Sequence, residues 1–174
     1  TDWSSNANLL NGGVFLNAQA TGLPSDLPGN YDGYIWNLGR LLPVSASTFA
    51  NGASSDPAVS DDGRWVTFAS SSSNLIANDN NGVIDIFLKD MDTGETSRVS
   101  EALVGGNAFS GTPTINYNGT RIFYSTFADN LVLGDTNGAS DIMGWNSTTP
   151  NIPFRIVGTT GAQLNGNSLY PHCD

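Results

Sequence analysis

One unit recurs three times along these 174 residues, and no other feature limits the fold as strongly. In the middle of the chain the unit runs through Pro57, Asp61-Asp62-Gly63, Trp65–Phe68, Asn74-Leu75, Asp79, Asn81-Gly82, Asp85-Ile86-Phe87 and Thr93-Gly94. Moving 56 positions on, Pro113, Gly119, Tyr124, Asn130, Leu131, Asp135, Asn137, Gly138 and Asp141-Ile142 take the places of Pro57, Gly63, Phe68, Asn74, Leu75, Asp79, Asn81, Gly82 and Asp85-Ile86. Moving 53 back, Phe15, Asp26 and Asp32 stand for Phe68, Asp79 and Asp85. Aromatic and first Asp are 11 apart in every copy, and the two Asp residues 6 apart. Such a period marks a stacked-repeat architecture, in which no unit buries its apolar surface alone. The expected units are about 1–52, 53–108 and 109–168 of a single repeat domain, with 169–174 opening a further repeat or serving as a strand-exchange tail.

Within a unit the local signals are those of strands. Over Arg64–Ser70, Trp65, Thr67 and Ala69 alternate with Val66 and Phe68, a two-residue period that puts two apolar sets on opposite faces. Asp85–Lys89 and Thr96–Ser100 are short β-rich runs. Asp61-Asp62-Gly63 and Asp92-Thr93-Gly94 are turn sequences, Gly supplying positive φ and Asp bonding the nearby backbone. No window offers three turns of helical periodicity, and 20 Gly with 8 Pro punctuate the chain throughout. The expectation is all-β, with three four-stranded antiparallel units.

The carrying residues, Pro57-x-x-Ser60-x-Asp62-Gly63, Val66-x-Phe68, Asp85-Ile86-Phe87 and Thr93-Gly94, resemble the TolB-type, WD-like β-propeller repeat. The resemblance is strongest over 55–158 and weak over 1–45, where Leu9-Leu10-Asn11-Gly12 replaces an Asp-Gly turn. It implies propeller-like blades, a scaffold used mostly for binding, and a ring incomplete within one chain, because closure takes about four to eight blades. Three blades leave two open faces. The resemblance therefore implies either a piece of a longer propeller or association with like units through heterologous contacts, up to an open filament.

Charge narrows the partners. Six Lys and Arg against 16 Asp and Glu give a net −10, which repels phosphate backbones and anionic lipid. Nucleic acid and membrane surfaces are thereby disfavoured as partners; self-association, another protein or glycans are favoured. The lone cysteine, Cys173, forbids an intrachain disulfide. A chain rich in Ser, Thr, Asn and Gly, with Lys89 its only lysine, points to a secreted or cell-surface protein, and a start at Thr1 to processing or a fragment.

Four sets of residues carry candidate chemistry. Asp79, Asn81 and Asp85, repeated as Asp135, Asn137 and Asp141, form Asp-x-Asn-Gly-x-x-Asp loops whose oxygens suit Ca²⁺. The structural alternative has Asp79 and Asp135 capping the turn while Asp85 and Asp141 hold loop amides. Trp36 and Trp145 occupy equivalent positions, where the middle copy has Lys89; they would stack on sugar rings or pack between blades. Asn118-Gly119-Thr120 and Asn146-Ser147-Thr148 are N-glycosylation triplets. His172 is the only histidine, so no Ser/His/Asp or multi-histidine metal cluster is available within one chain. The expected function is a non-enzymatic, secreted structural or protein-interaction subunit. A Ca²⁺-assisted carbohydrate-binding module is the second reading, and a fragment of a larger propeller hydrolase using paired carboxylates the third.

Overall fold

The computed structural model describes residues 9–10, 13–18, 32–37, 40–44, 50–101, 105–159 and 161–173. They form twelve strands and no helix. β1 (Leu9–Leu10), β2 (Gly13–Ala18), β3 (Asp32–Asn37) and β4 (Arg40–Pro43) make sheet one; β5 (Ser54–Val59), β6 (Trp65–Ser70), β7 (Asp85–Asp90) and β8 (Thr96–Arg98) make sheet two. β9 (Ser110–Ile115), β10 (Arg121–Thr126), β11 (Asp141–Asn146) and β12 (Phe154–Arg155) make sheet three. Each is a four-stranded antiparallel meander in chain order, and residues 168–173 belong to none of them.

The alternation expected over 64–70 sets how sheets stack. Val66 and Phe68 pack with Phe87, Leu75, Val44 and Ala50 on the side toward sheet one. Ala69, with Ile86, Leu88 and Val99, packs instead against Ile115, Ile122, Tyr124, Met143 and Trp145 of sheet three. Phe68 and Phe87 are direct cross-strand partners with ring centroids 5.8 Å apart. β9 lies against β5, β6 and β7, so consecutive sheets stack in series, as blades do. Among the described residues the series does not close on itself.

Two details differ from the sequence expectation. β8 stops at Arg98 rather than running to Ser100, because the N–H groups of Val99 and Ser100 both turn to the Ile86 carbonyl, at 2.7 and 3.4 Å. In sheet one, Ala18 pairs with Asp32 as Ser70 pairs with Asp85 and Thr126 with Asp141. Two residues back along the strand stands Leu16, which pairs with Tyr34 as Phe68 pairs with Phe87. The counterpart of Phe68 is thus Leu16 and not Phe15; counting 11 residues to Asp26 misplaced it by one, and Asp26 lies outside the described residues.

Candidate functional site

The repeated aspartate loops fall at one end of each sheet, where the second strand hands over to the third. Asp85 opens β7 and Asp141 opens β11, both fully buried. A buried carboxylate must find hydrogen bonds and positive charge. Asp85 finds both: it accepts from Ser100 Oγ at 2.6 Å and Asn81 Nδ2 at 2.6 Å, and the Arg98 guanidinium stands 3.5 Å away. Arg98 Nη1 also donates to Asp79 at 2.9 Å, so one buried cation bridges both aspartates. Burial pushes the Asp85 carboxyl above its usual range, and the bonds from Ser100, Asn81 and Arg98 pull it back.

Sheet three repeats the device with different parts. Arg155 Nη1 lies 3.7 Å from Asp135 and 3.6 Å from Asp141, while Gln163 Nε2 donates to both at 2.7 and 3.0 Å. The arginines are equivalent by register, Arg98 facing Phe87 and Arg155 facing Met143; Pro43, facing Tyr34, holds that place in sheet one. Turn capping falls to the asparagines rather than to Asp79 and Asp135: Asn81 Oδ1 accepts from Val83 N at 3.3 Å and Asn137 Oδ1 from Ala139 N at 2.9 Å. Asp85 and Asp141 hold side chains where loop amides were the expectation. The charge that a Ca²⁺ ion would bring is supplied in each loop by a guanidinium, and among the described residues no three Asp, Glu, His or Cys side chains converge as a metal ligand set. Sequence reasoning missed both arginines because they lie 13 and 14 residues after Asp85 and Asp141, in another strand.

The tryptophans occupy equivalent registers as expected: Trp36 faces Val14 and Trp145 faces Ile122, as Lys89 faces Val66. Trp145 is only 5% exposed and belongs to the core between sheets two and three. The side chain of Trp36 lies outside the described residues. Trp65 and Trp145 line a groove of about 500 Å³ with Leu88, Asp90, Glu95 and Thr96. There the Arg64 guanidinium sits 4.8 Å over the Trp65 ring, and Gly119 packs against its Cδ1 and Cγ. Burial likewise drives the Lys89 pKa down. Both glycosylation triplets lie at the same end of sheet three. Asn118 is exposed in the β9–β10 turn and accepts from Thr120 Oγ1 at 2.6 Å; Asn146, half-buried at the end of β11, accepts from Thr148 Oγ1 at 2.9 Å.

One exposed surface is apolar. Every large hydrophobic side chain described as exposed lies at Phe109 or beyond. The outward face of sheet three carries Phe123, Ile142, Phe154 and Ile156. Phe123 and Phe154 meet edge to face, centroids 6.2 Å apart, and Phe154 fills the hollow over Gly144. The same face of sheet two, carrying Ala69, Ile86, Leu88 and Val99, is buried beneath sheet three.

Serial four-stranded meanders packed face to face define a propeller-type protein, and comparison with solved structures gives that class a particular likeness. TolB from Acinetobacter baumannii superposes with a TM-score of 0.54 at 16% identity, over 85% of this chain and 30% of that one. A putative TolB from Agrobacterium tumefaciens gives 0.54 at 15% identity, over 85% and 43%. The β-propeller domain of the Trilobed protease from Pyrococcus furiosus gives 0.50 at 14%, over 89% and 43%. The fold is therefore a TolB-type, propeller-like one, and the chain spans less than half the length of each of these proteins. No protein-family model matches the chain, and no curated protein does.

Proposed function

We propose that this chain is a non-catalytic protein-interaction or assembly module, a stack of propeller-type blades that binds another polypeptide through the outward face of sheet three. One observation carries the reading: Ile156, 38% exposed, stands where sheet two keeps Val99 fully buried, and Phe154, 41% exposed, lies beside it on the same face. A contiguous apolar face of this kind on a soluble protein marks an interaction surface. The carboxylate pairs support a structural role, since each is paired with an arginine, Arg98 or Arg155, rather than held ready for acid–base work. Export to the cell exterior belongs to the same reading and rests on composition.

Light scattering combined with binding of an apolar dye tests it. The chain should bind the dye in its native state and associate as its concentration rises, and Ile156→Glu should reduce both. A monodisperse monomer that takes up no dye would overturn the reading.

A further inference from the structure

We propose that residues 168–173 are the innermost strand of a fourth sheet, set in place for a partner segment that supplies the other three strands, with Ser or Thr opposite Ser168. The inference rests on the open-face reading above and adds what docks there.

Three stretches share the pattern Asn-x-x-Ser-x-x-Pro: Asn51, Ser54 and Pro57; Asn107, Ser110 and Pro113; Asn165, Ser168 and Pro171. In sheets two and three the Asn and Ser positions have partners on the second strand or in the loop after it. The amides of Asn51 and Asn107 donate to Asn74 and Asn130 Oδ1, both at 3.0 Å. Ser54 Oγ donates to Ser70 Oγ and Ser110 Oγ to Thr126 Oγ1, both at 2.9 Å. Just before each Pro the backbone reverses to positive φ, 50° at Asp56 and 48° at Thr112, and the strand register shifts there.

The last segment already has half of this arrangement. Ser168 N donates to Ser140 O at 2.7 Å, as Ser110 N donates to Ile84 O at 2.9 Å. Asn137 Nδ2 donates to Leu164 O at 2.6 Å, as Asn81 Nδ2 donates to Gly106 O at 3.0 Å. Tyr170 repeats the reversal, with φ at 57°, an uncommon conformation for so large a side chain. Leu169 and Tyr170 are 47% and 77% exposed, whereas Gly111 is buried and Thr112 half-buried. The preceding sheet thus holds the segment in the conformation of an inner strand, and among the described residues no second strand pairs with it.

The partners already in place define the occupant: an aromatic, then Ser or Thr two residues on, then Asn four further, as in Phe68-x-Ser70 with Asn74 and Tyr124-x-Thr126 with Asn130. A second copy of this chain does not meet the requirement. Its sheets two and three already contain inner strands β5 and β9, and its first unit has Leu16, Ala18 and Gly22 at the three positions.

The test uses the whole chain extended past Asp174 by a flexible linker and a further three-stranded segment. One extension carries the sequence of residues 64–101 and the other that of residues 13–44. With the first, amide hydrogen exchange over 168–173 should slow by roughly tenfold or more, a gain that Ser70→Ala together with Asn74→Ala in the appended copy removes. With the second, exchange should not change. Equal protection by both, protection by neither, or concentration-dependent protection in the unextended chain would overturn the proposal. Dye binding and light scattering on the unextended chain bear on the open face separately, so the two ideas fail independently.

Discussion

Sheets two and three are the same meander 56 residues apart, and the way they differ separates what the repeat requires from what a neighbour supplies. In sheet two the central strands are covered on both faces, β6 from Val66 on and β7 along its whole length. In sheet three Tyr124 and Met143 on the inward face are as deeply buried, but the outward face stays open. The polar device follows the same trend: Arg98, only 6% exposed at its side chain, reaches Asp79 at 2.9 Å, while Arg155 stands 3.6 to 3.7 Å from its aspartates and shares them with Gln163. Sequence defines the blade; packing on both sides tightens it.

Exchanging the arginines should break that comparison most sharply. Arg98→Met would leave two buried carboxylates facing each other without a cation, a loss of about 3–5 kcal/mol in urea unfolding. Arg155→Met should cost about 1–2 kcal/mol, because Gln163 still donates to Asp135 and Asp141. The pH dependence has a definite sign. Burial already raises the Asp85 pKa in the folded chain, so the folded state binds a proton more readily than the unfolded one. Stability limited by that group falls as pH rises, and the Arg98→Met deficit should shrink between pH 7 and pH 5. Equal losses for the two variants would show that the tighter geometry of sheet two carries no energetic weight.

Much of this was legible in the sequence, and the omissions share a physical cause. β6, β7, β10 and β11 were readable because alternation and Gly-marked turns are local signals, as at Gly63 and Gly119, both with φ of 73°. The equivalence of Trp36, Lys89 and Trp145 held for the same reason. The arginines were hidden because their partners lie across a strand pair, and Asn165 because its spacing from Asn107 is 58 rather than 56. The off-by-one placement of Phe15 came from counting along a chain where only cross-strand pairing sets the face. No periodicity distinguishes Ile86 from Ile142; one is covered only because another sheet follows it.

The paired turn glycines give a smaller, cleaner contrast. At Gly63 no described atom lies within 4 Å of an added Cβ, whereas at Gly119 the Cβ would meet Trp65 Cδ1 and Cγ. Gly63→Ala should cost only the left-handed penalty, about 1–2 kcal/mol. Gly119→Ala adds displacement of an indole already held by Arg64, for about 3 kcal/mol in total, and it should shift the Trp fluorescence spectrum. Matching losses, or an unchanged spectrum, would mean that the turn does not seat against sheet two.

The smallest expected effect lies where the two sheets differ in charge. Asp90 faces Trp65 and Asn146 faces Arg121, so Asp90→Asn makes the end of sheet two resemble that of sheet three. Either residue can cap its turn: Asp90 Oδ1 accepts from Asp92 N, and Asn146 Oδ1 from Thr148 N, both at 2.9 Å. Only Asp90 holds an arginine, with Arg64 donating at 2.7 and 3.2 Å, and that bond brings its pKa down to about 2. A carboxyl lowered on folding contributes stability above its unfolded pKa and loses it as pH falls through the folded one. Arg64 is 42% exposed, so solvent screening keeps the gain of wild type over Asp90→Asn at pH 7 the smallest of these effects. The gap should persist to pH 5, narrow from about pH 4 toward pH 2, and diminish in 1 M salt. A gap constant over that range would assign the loss to capping, leaving the two sheet ends energetically alike despite their different charge.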